Sequence, residues 1–312
     1  MRIFLTGATG VIGSRVVPLL LQRGHAVTAV ARSAAKRSAL EHAGAAPLDV
    51  SLFDRAALEK AVDGHDAIVN LATHVPHSTL QQMRRSAWRE NDHIRRDGSA
   101  ALADAALASG ARRFIQESFA PIYGDHGADW IDEGAPLQPI RYNRTLLDAE
   151  RSARRFASGG GIGVVLRFGG FYGPDAVQLR ALLSAVRRGW APLPGRADSY
   201  LSSLSHDDAA SAVVAALALP TGVYNVVDDQ PVTHRDLVDT LADAAGAPHP
   251  RLLPAWATVL TGSIGRLMAR SQRISNRKLR GACDWAPRYP SVREGYPPAV
   301  AAIDAPRPVT AA

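Results

Sequence analysis

Glycines spaced to hold a phosphate come first along the chain. The apolar run Arg2-Ile3-Phe4-Leu5-Thr6 leads into Gly7-Ala8-Thr9-Gly10-Val11-Ile12-Gly13, after which a helical pattern begins. Gly7 permits a tight turn, Gly10 lets backbone approach a pyrophosphate, and Gly13 lets the helix pack closely on the strand. A helix starting there offers unpaired N–H groups and a partial positive charge to an anion. Strand, turn and helix fall in the required order, so Gly7, Thr9, Gly10, Val11, Ile12 and Gly13 are expected to bind a dinucleotide. The other reading of these glycines is a turn that merely packs.

The adenosine end is read from the second apolar run. An acid at its tip would accept from the ribose 2′-OH and favour NAD, but Val27-Thr28-Ala29-Val30-Ala31-Arg32-Ser33 carries none. Arg32 with Lys36 or Arg37 can instead pair with a 2′-phosphate, so NADP(H) is expected, with NAD(H) the alternative. Against this stands the reading of solvated surface charges, strongest for Arg37. Asp49-Val50, after the third run, is placed to accept from the adenine amino group, unless Asp49 caps a helix. Leu71-Ala72-Thr73 would run along a cofactor ribose, and Phe168-Gly169 would pass near the nicotinamide.

Histidines supply two further constellations. His74 and His77 follow the fourth apolar run in Thr73-His74-Val75-Pro76-His77. His74 is a candidate acid/base or substrate contact there. The pair has no evident third ligand, so no metal is expected. His206-Asp207-Asp208 resembles a metal motif in isolation, but it opens an alanine-rich helical run and is read as a helix N-terminus.

These residues need elements to position them. Strands are expected at Arg2–Thr6, Ala26–Ala31, Ala45–Leu48, Ala67–Leu71, Arg112–Glu117, Gly163–Arg167 and Gly222–Val227. Between them helical periodicity runs over Ile12–Arg23, Ala34–Ala43, Arg55–Val62, a long segment ending at Ala108, Tyr142–Ala157 and Asp207–Leu217. Strands apolar almost throughout belong to parallel sheets covered on both faces. The alternation therefore predicts an α/β fold with a doubly wound parallel (Rossmann) sheet, whose ligand lies beyond the carboxyl ends of the strands. Residues 1–168 and about 200–228 are assigned to this cofactor-binding domain, and about 169–199 and 229–304 to a smaller C-terminal substrate-binding lobe. The tail 305–312 is expected to fray.

Composition narrows the function class. The chain is 46% hydrophobic and 21% charged, which excludes a disordered protein. Its net charge of +7 comes from bases that are arginine except for Lys36, Lys60 and Lys278, and they form no single run. No nucleic-acid partner is expected. Cys283 is the only cysteine, so no internal disulfide forms. Leu252–Met268 is interrupted by Pro254, Gly262, Gly265 and Arg266 and reads as a packed helix and not a membrane span. With no secretory pattern at the N-terminus, a cytoplasmic location is expected.

Together these features resemble the extended branch of the short-chain dehydrogenase/reductase superfamily, the NAD(P)-dependent epimerase/dehydratase family. The resemblance rests on the glycine loop, Asn70-Leu71-Ala72, Ser118 with Tyr123-Gly124, Tyr142 and Glu150, and Arg167 followed by Phe171-Tyr172-Gly173-Pro174. It continues through Ser205-His206-Asp207-Asp208, Val223-Tyr224-Asn225-Val226 and Ser275-Asn276. It implies that Tyr142 is the general acid/base and Ser118 a contact to the substrate oxygen. The lysine usually four residues after the tyrosine is here Leu146, and Arg95 stands where an asparagine is common. Without a cation nearby, Tyr142 should keep a pKa of ~10, an acid more than a base at neutral pH. The usual serine position falls on Phe119, and a one-residue insertion near Pro121 would return Ser118 to the site. Glu117 beside it is either a proton carrier or a salt-bridged strand-end residue. The implied function is an NAD(P)(H)-dependent oxidoreductase or epimerase acting on a hydroxyl or carbonyl of a small molecule, a sugar derivative or specialised metabolite. A redox-neutral dehydratase, isomerase or cyclase and a non-catalytic NADP-sensing protein are the alternatives. Relatives often dimerise through the helices carrying Arg95 and Tyr142, so a homodimer is compatible with the chain.

Overall fold

Seven short runs rich in β-branched and aliphatic residues form one parallel sheet. A computed structural model describes residues 1–76, 81, 84–254, 256 and 262–305. Short strands β6 (Trp130–Ile131), β8 (Gly170–Tyr172), β9 (Trp190–Ala191), β10 (Tyr200–Leu201) and β11 (Ser203–Ser205) lie outside the sheet, and its own strands are β1 (Arg2–Thr6), β2 (Ala26–Val30), β3 (Ala46–Leu48), β4 (Ala67–Asn70), β5 (Arg113–Phe119), β7 (Ile162–Phe168) and β12 (Gly222–Val226). They lie in the order β12-β7-β5-β4-β1-β2-β3, all parallel. The order reverses at β1, which opens a crevice beyond the carboxyl ends of β1 and β4.

Both faces are covered, as apolar parallel strands require. Helices α1 (Gly13–Gln22), α2 (Ala34–His42) and α3 (Arg55–Val62) alternate with the first four strands. Next come α4 (Arg89–His93), a π-helical turn over Ile94–Gly98, α5 (Ser99–Ala108) and α6 (Leu146–Ser158). The remaining helices are α7 (Val177–Val186), α8 (His206–Ala215), α9 (His234–Ala244), α10 (Gly262–Met268), α11 (Arg277–Ala282) and α12 (Val292–Asp304). Ile3, Leu5, Val69 and Ile115 bury one face against Val16 and Leu20 of α1 and Ala209 and Val213 of α8. Phe4, Ile68 and Phe114 bury the other against Leu58, Leu102 and Phe156 of α3, α5 and α6. A separate apolar cluster joins Leu179 and Leu183, Leu237 and Leu241, and Tyr296 and Val300 under the lobe.

Several boundaries move relative to the sequence expectation. β5 runs two residues further, to Phe119. The helix expected from Tyr142 begins at Leu146, because the Asn143 side chain accepts the Ile140 N–H and holds residues 141–145 in turns. Serine and aspartate caps fix other starts: Ser33 accepts the Lys36 N–H, Asp54 that of Ala57, and Ser205 that of Asp208. The packed helix expected over Leu252–Met268 does not start there: Leu252 ends a short strand, residues 253–254 are irregular, and the helix runs over Gly262–Met268. His77 and the tail from 306 lie outside the described residues. No helix among the described residues is long and apolar enough to cross a membrane.

Candidate active site

The glycine loop is built at close quarters. Gly7 has φ +72°, and a Cβ on it would meet the Leu71 carbonyl oxygen at 2.4 Å, so the β1 and β4 tails touch there. A Cβ on Gly13 would lie 2.1 Å from the Gly7 oxygen, so helix α1 seats directly on the loop. Gly10 and Val11 are exposed, Thr9 and Ile12 half-buried, and no side chain caps α1. That uncapped helix start beside an exposed glycine is a cradle for a pyrophosphate, so the residues present fit a dinucleotide. Asn70 locks the far wall: its Oδ1 accepts from Thr6 Oγ1 at 2.6 Å, and its Nδ2 donates to Gln116 at 2.8 Å and Ser99 at 3.1 Å.

At the adenosine end Arg32 and Lys36 are exposed, while Arg37 donates to Asp49 Oδ2 at 3.0 Å. Arg37 is thus committed to Asp49 and not to a phosphate, and one Asp49 oxygen is taken. Val50 is buried in the core beneath it. Leu71, Ala72 and Thr73 leave β4 along the crevice, and His74 follows exposed, its backbone N–H donated to Asn91 Oδ1 at 2.9 Å. Phe168 ends β7 and Gly169 follows it, where a Cβ on Gly169 would meet the Ser202 oxygen at 2.8 Å.

The end of β5 sorts its residues by face. The β5–β7 register is unbroken from Arg113↔Ile162 to Phe119↔Phe168, so no insertion within the strand turns Ser118. Ser118 is buried and donates to Glu150 Oε1 at 2.8 Å, on the α6 side of the sheet. Alternation places Glu117 on the opposite face, where its Oε1 accepts from Arg95 Nε at 3.2 Å. Glu117 is therefore the salt-bridged residue of the two readings. Arg95 is itself only 6% exposed, aimed inward by the π-helical turn. π-turns recur where a helix must redirect a functional side chain.

Tyr142 sits in the turn before α6, half-buried against Trp88 with ring centroids 4.9 Å apart. Thr145 ties this turn to α4 through Asp92 at 2.9 Å. Leu146 is fully buried. Contrary to the expectation from sequence, two cations stand near the phenol, yet its acidity does not rise. Burial pushes Tyr142 up to about 12, outweighing the opposing pull of Arg95 and Arg270. At neutral pH it is a proton donor.

Behind these residues lies a buried ionic lattice. Arg167 donates to both Glu150 oxygens at 2.8 Å and to the Tyr123 hydroxyl at 2.7 Å, and Tyr123 donates to Asn225 at 2.8 Å. Burial alone would lower the Arg167 guanidinium, but Glu150 more than offsets it and holds it above its ordinary value. His206 pairs with Asp175, which also binds Arg15 of α1, and Ser205 caps α8. No cluster of three potential metal ligands occurs among the described residues.

Arg270 is a site residue that sequence reasoning missed, because its partners are backbone carbonyls far along the chain. Its Nη1 donates to the Tyr123 oxygen at 2.7 Å and the Gln138 oxygen at 2.8 Å. Asn91 is also missed: it is fully buried, and its Nδ2 has no partner among the described residues. Only its place on the long helix before Arg95 marked it.

Residues 7–182 match the family described as NAD(P)H-binding. The chain is 33% identical over 306 residues to a 3-diazoavenalumate denitrifying reductase of a Streptomyces species, covering 95% of this chain and 99% of that one. Its fold superposes on the UDP-glucose 4-epimerase of Thermotoga maritima with UDP-glucose, at TM-score 0.78 and 22% identity, over 97% and 98% of the two chains. A human epimerase family protein with NADPH gives TM-score 0.78 and 19% identity, over 96% and 99%. With the parallel sheet and the glycine cradle, these matches place the chain in the NAD(P)H-binding, extended short-chain dehydrogenase/reductase family of epimerases and reductases.

Proposed function

We propose that the protein is an NADPH-dependent reductase of a small organic electrophile, working in the direction of reduction, with Tyr142 as its proton donor. One observation carries this reading: the phenol is held protonated by burial in the turn ahead of α6, and the fully buried Leu146 offers it no cation. Alcohol oxidation needs a base at this position, whereas carbonyl reduction needs an acid. Bound NADPH would supply the hydride. The chain's share is to cradle the pyrophosphate on Gly10–Gly13, to pair Arg32 and Lys36 with the 2′-phosphate, and to donate the Tyr142 O–H to the accepting atom.

The exposed Arg32 and Lys36, with no acid at the tip of β2, support NADP(H) over NAD(H). The acceptor class follows from the protonated phenol. A carbonyl is reduced with the phenol as acid, and an acceptor that builds no alkoxide asks still less of the site. The diazo compound in the name of the Streptomyces relative is of that second kind, which supports reduction as the direction here. Glu117, fixed on Arg95, is a positioning group in this reading, and Ser118 holds Glu150. The test is NADPH consumption with methyl 4-formylbenzoate and with an aryl diazonium salt. Tyr142→Phe should lower the carbonyl rate about 10²- to 10⁴-fold. An unchanged rate removes Tyr142 from the mechanism, and NADPH binding without turnover of either acceptor favours a sensor.

A further inference from the structure

Among the described residues, most half-buried arginines face a carboxylate, a helix C-terminus or, for Arg273, the rings of Trp130 and Tyr200; Arg270 meets only loop carbonyls. Arg15 pairs with Asp175 and Asp207, Arg95 with Glu117, and Arg167 with Glu150. Arg113 donates to the Ala216 and Leu219 carbonyls beyond the end of α8, where the helix dipole is negative. Arg270 makes no ion pair among the described residues. Its Nη1 is fixed by two loop carbonyls, those of Tyr123 and Gln138, and its other N–H groups have no partner there. Asp125, whose charge reaches it, accepts from the backbone N–H groups of Gly127 and Ser271 instead. The charge of Arg270 also reaches Tyr142.

We propose that Arg270 recognises a carboxylate on the substrate, laying it beside Tyr142; this names a substrate class for the reductase reading and rests on it. A cation drawn from water without a counter-ion is costly, and a carboxylate arriving with the substrate would remove that cost. The guanidinium is planar and oriented in advance by its two carbonyl contacts. Its remaining N–H groups can therefore meet two oxygens with little loss of freedom. The reacting group would lie at the phenol and the carboxylate at Arg270, so one end of the substrate is read by charge and the other by chemistry.

The test is calorimetric titration of the NADP⁺-loaded protein with 4-formylbenzoate and with its methyl ester, which lacks the charge and carries one more methyl group. The acid should bind at least about 10-fold tighter than the ester. Arg270→Met should weaken the acid about 10- to 100-fold and leave the ester unmoved, and Arg270→Lys should recover part of the loss. Because the acid-to-ester ratio is internal to each variant, a partly damaged Arg270→Met still reports. Equal affinities in the wild type, a preference that survives Arg270→Met, or binding of neither probe by protein that holds NADP⁺ would each overturn the proposal. So would tight UDP binding removed by Arg270→Met, which reassigns the guanidinium to a diphosphate. Failure to bind NADP⁺ at all overturns the reductase reading itself, a result the other outcomes do not mimic.

Discussion

Removing Arg167 should cost far more than the contacts it makes, and the structure says how much. Glu150 is fully buried and Arg167 is 3% exposed; the carboxylate accepts two Arg167 N–H bonds and the Ser118 hydroxyl. In Arg167→Leu the carboxylate keeps Ser118 and a longer 3.4 Å contact from the half-exposed Arg154, but loses its buried counter-ion. Breaking one side of such a pair costs about 3–5 kcal/mol. Glu150→Leu strands the guanidinium at a similar cost. In the double variant no charge is left behind, and the loss should fall to about 1–3 kcal/mol for the unpartnered Ser118 hydroxyl and a Tyr123 hydroxyl left with Asn225 alone. Urea unfolding of the four proteins at constant m value measures the coupling. Singles that add in the double variant, or a single that loses less than about 1 kcal/mol, would refute the argument that the lattice works by charge compensation. The consequence reaches the site, since Tyr123 belongs to this lattice and its carbonyl receives Arg270.

Three other expectations follow from the same geometry. With Tyr142 at about 12, the reduction rate assigned to its O–H should stay flat through neutral and mildly alkaline pH and fall only as pH nears that value. A Tyr142-dependent break below about pH 8 in kcat would contradict it. Arg32→Ala should weaken NADPH by about 10-fold or more while leaving NADH affinity in place, as read by calorimetry; equal losses would detach Arg32 from the 2′-phosphate. Asp228 is buried with neither carboxylate oxygen partnered among the described residues, and burial, with Asp229 and Glu294 nearby, pushes its pKa well up. Its folded value lies above its unfolded one, so its stability contribution is full in acid and is lost as pH rises from about 4 toward the raised value. Asp228→Asn should therefore raise stability at neutral pH by about 1–3 kcal/mol and give no gain below about pH 4. A gain equal at both pH values, in urea unfolding, would mean that ionisation is not the cause.

The sheet was legible because its signals are local. Arg2–Thr6 and Arg55–Val62 match their elements residue for residue, since apolar runs and an Asp54 cap carry the information within a few positions. The glycine loop was legible for the same reason: each glycine answers to a neighbour within the loop or at Leu71. The start of α6 was not. Helical spacing extends back to Tyr142, but one Asn143 side chain competes for the backbone and keeps the tyrosine in a turn. The lobe's paired two-residue strands, such as Arg273–Ile274 against Trp130–Ile131, join segments far apart and too short to show a period. The charge state of the site was hidden in the same way. Arg95, Glu117 and Arg270 are plain in the sequence, yet which of them is compensated depends on a π-turn and on loops 147 residues apart.

This arrangement makes the chemistry directional. A tyrosine that served as base at pH 7 from a value of about 12 would first surrender its proton at a cost of about 7 kcal/mol. Arg95 exerts the larger pull of the two nearby cations but is itself paired with Glu117 at 3.2 Å, and burial outweighs both. Of the two cations near the phenol, Arg270 is the one with no ion pair among the described residues, and a carboxylate bound to it would offset its charge, leaving the phenol more firmly protonated when substrate is present. A lysine at position 146 would not restore the base: Tyr142 stands outside α6, and Leu146 is sealed in the core at its first residue. In the proposed reductase, substrate charge, helix start and buried pair would therefore act in one sense, toward giving a proton and not taking one.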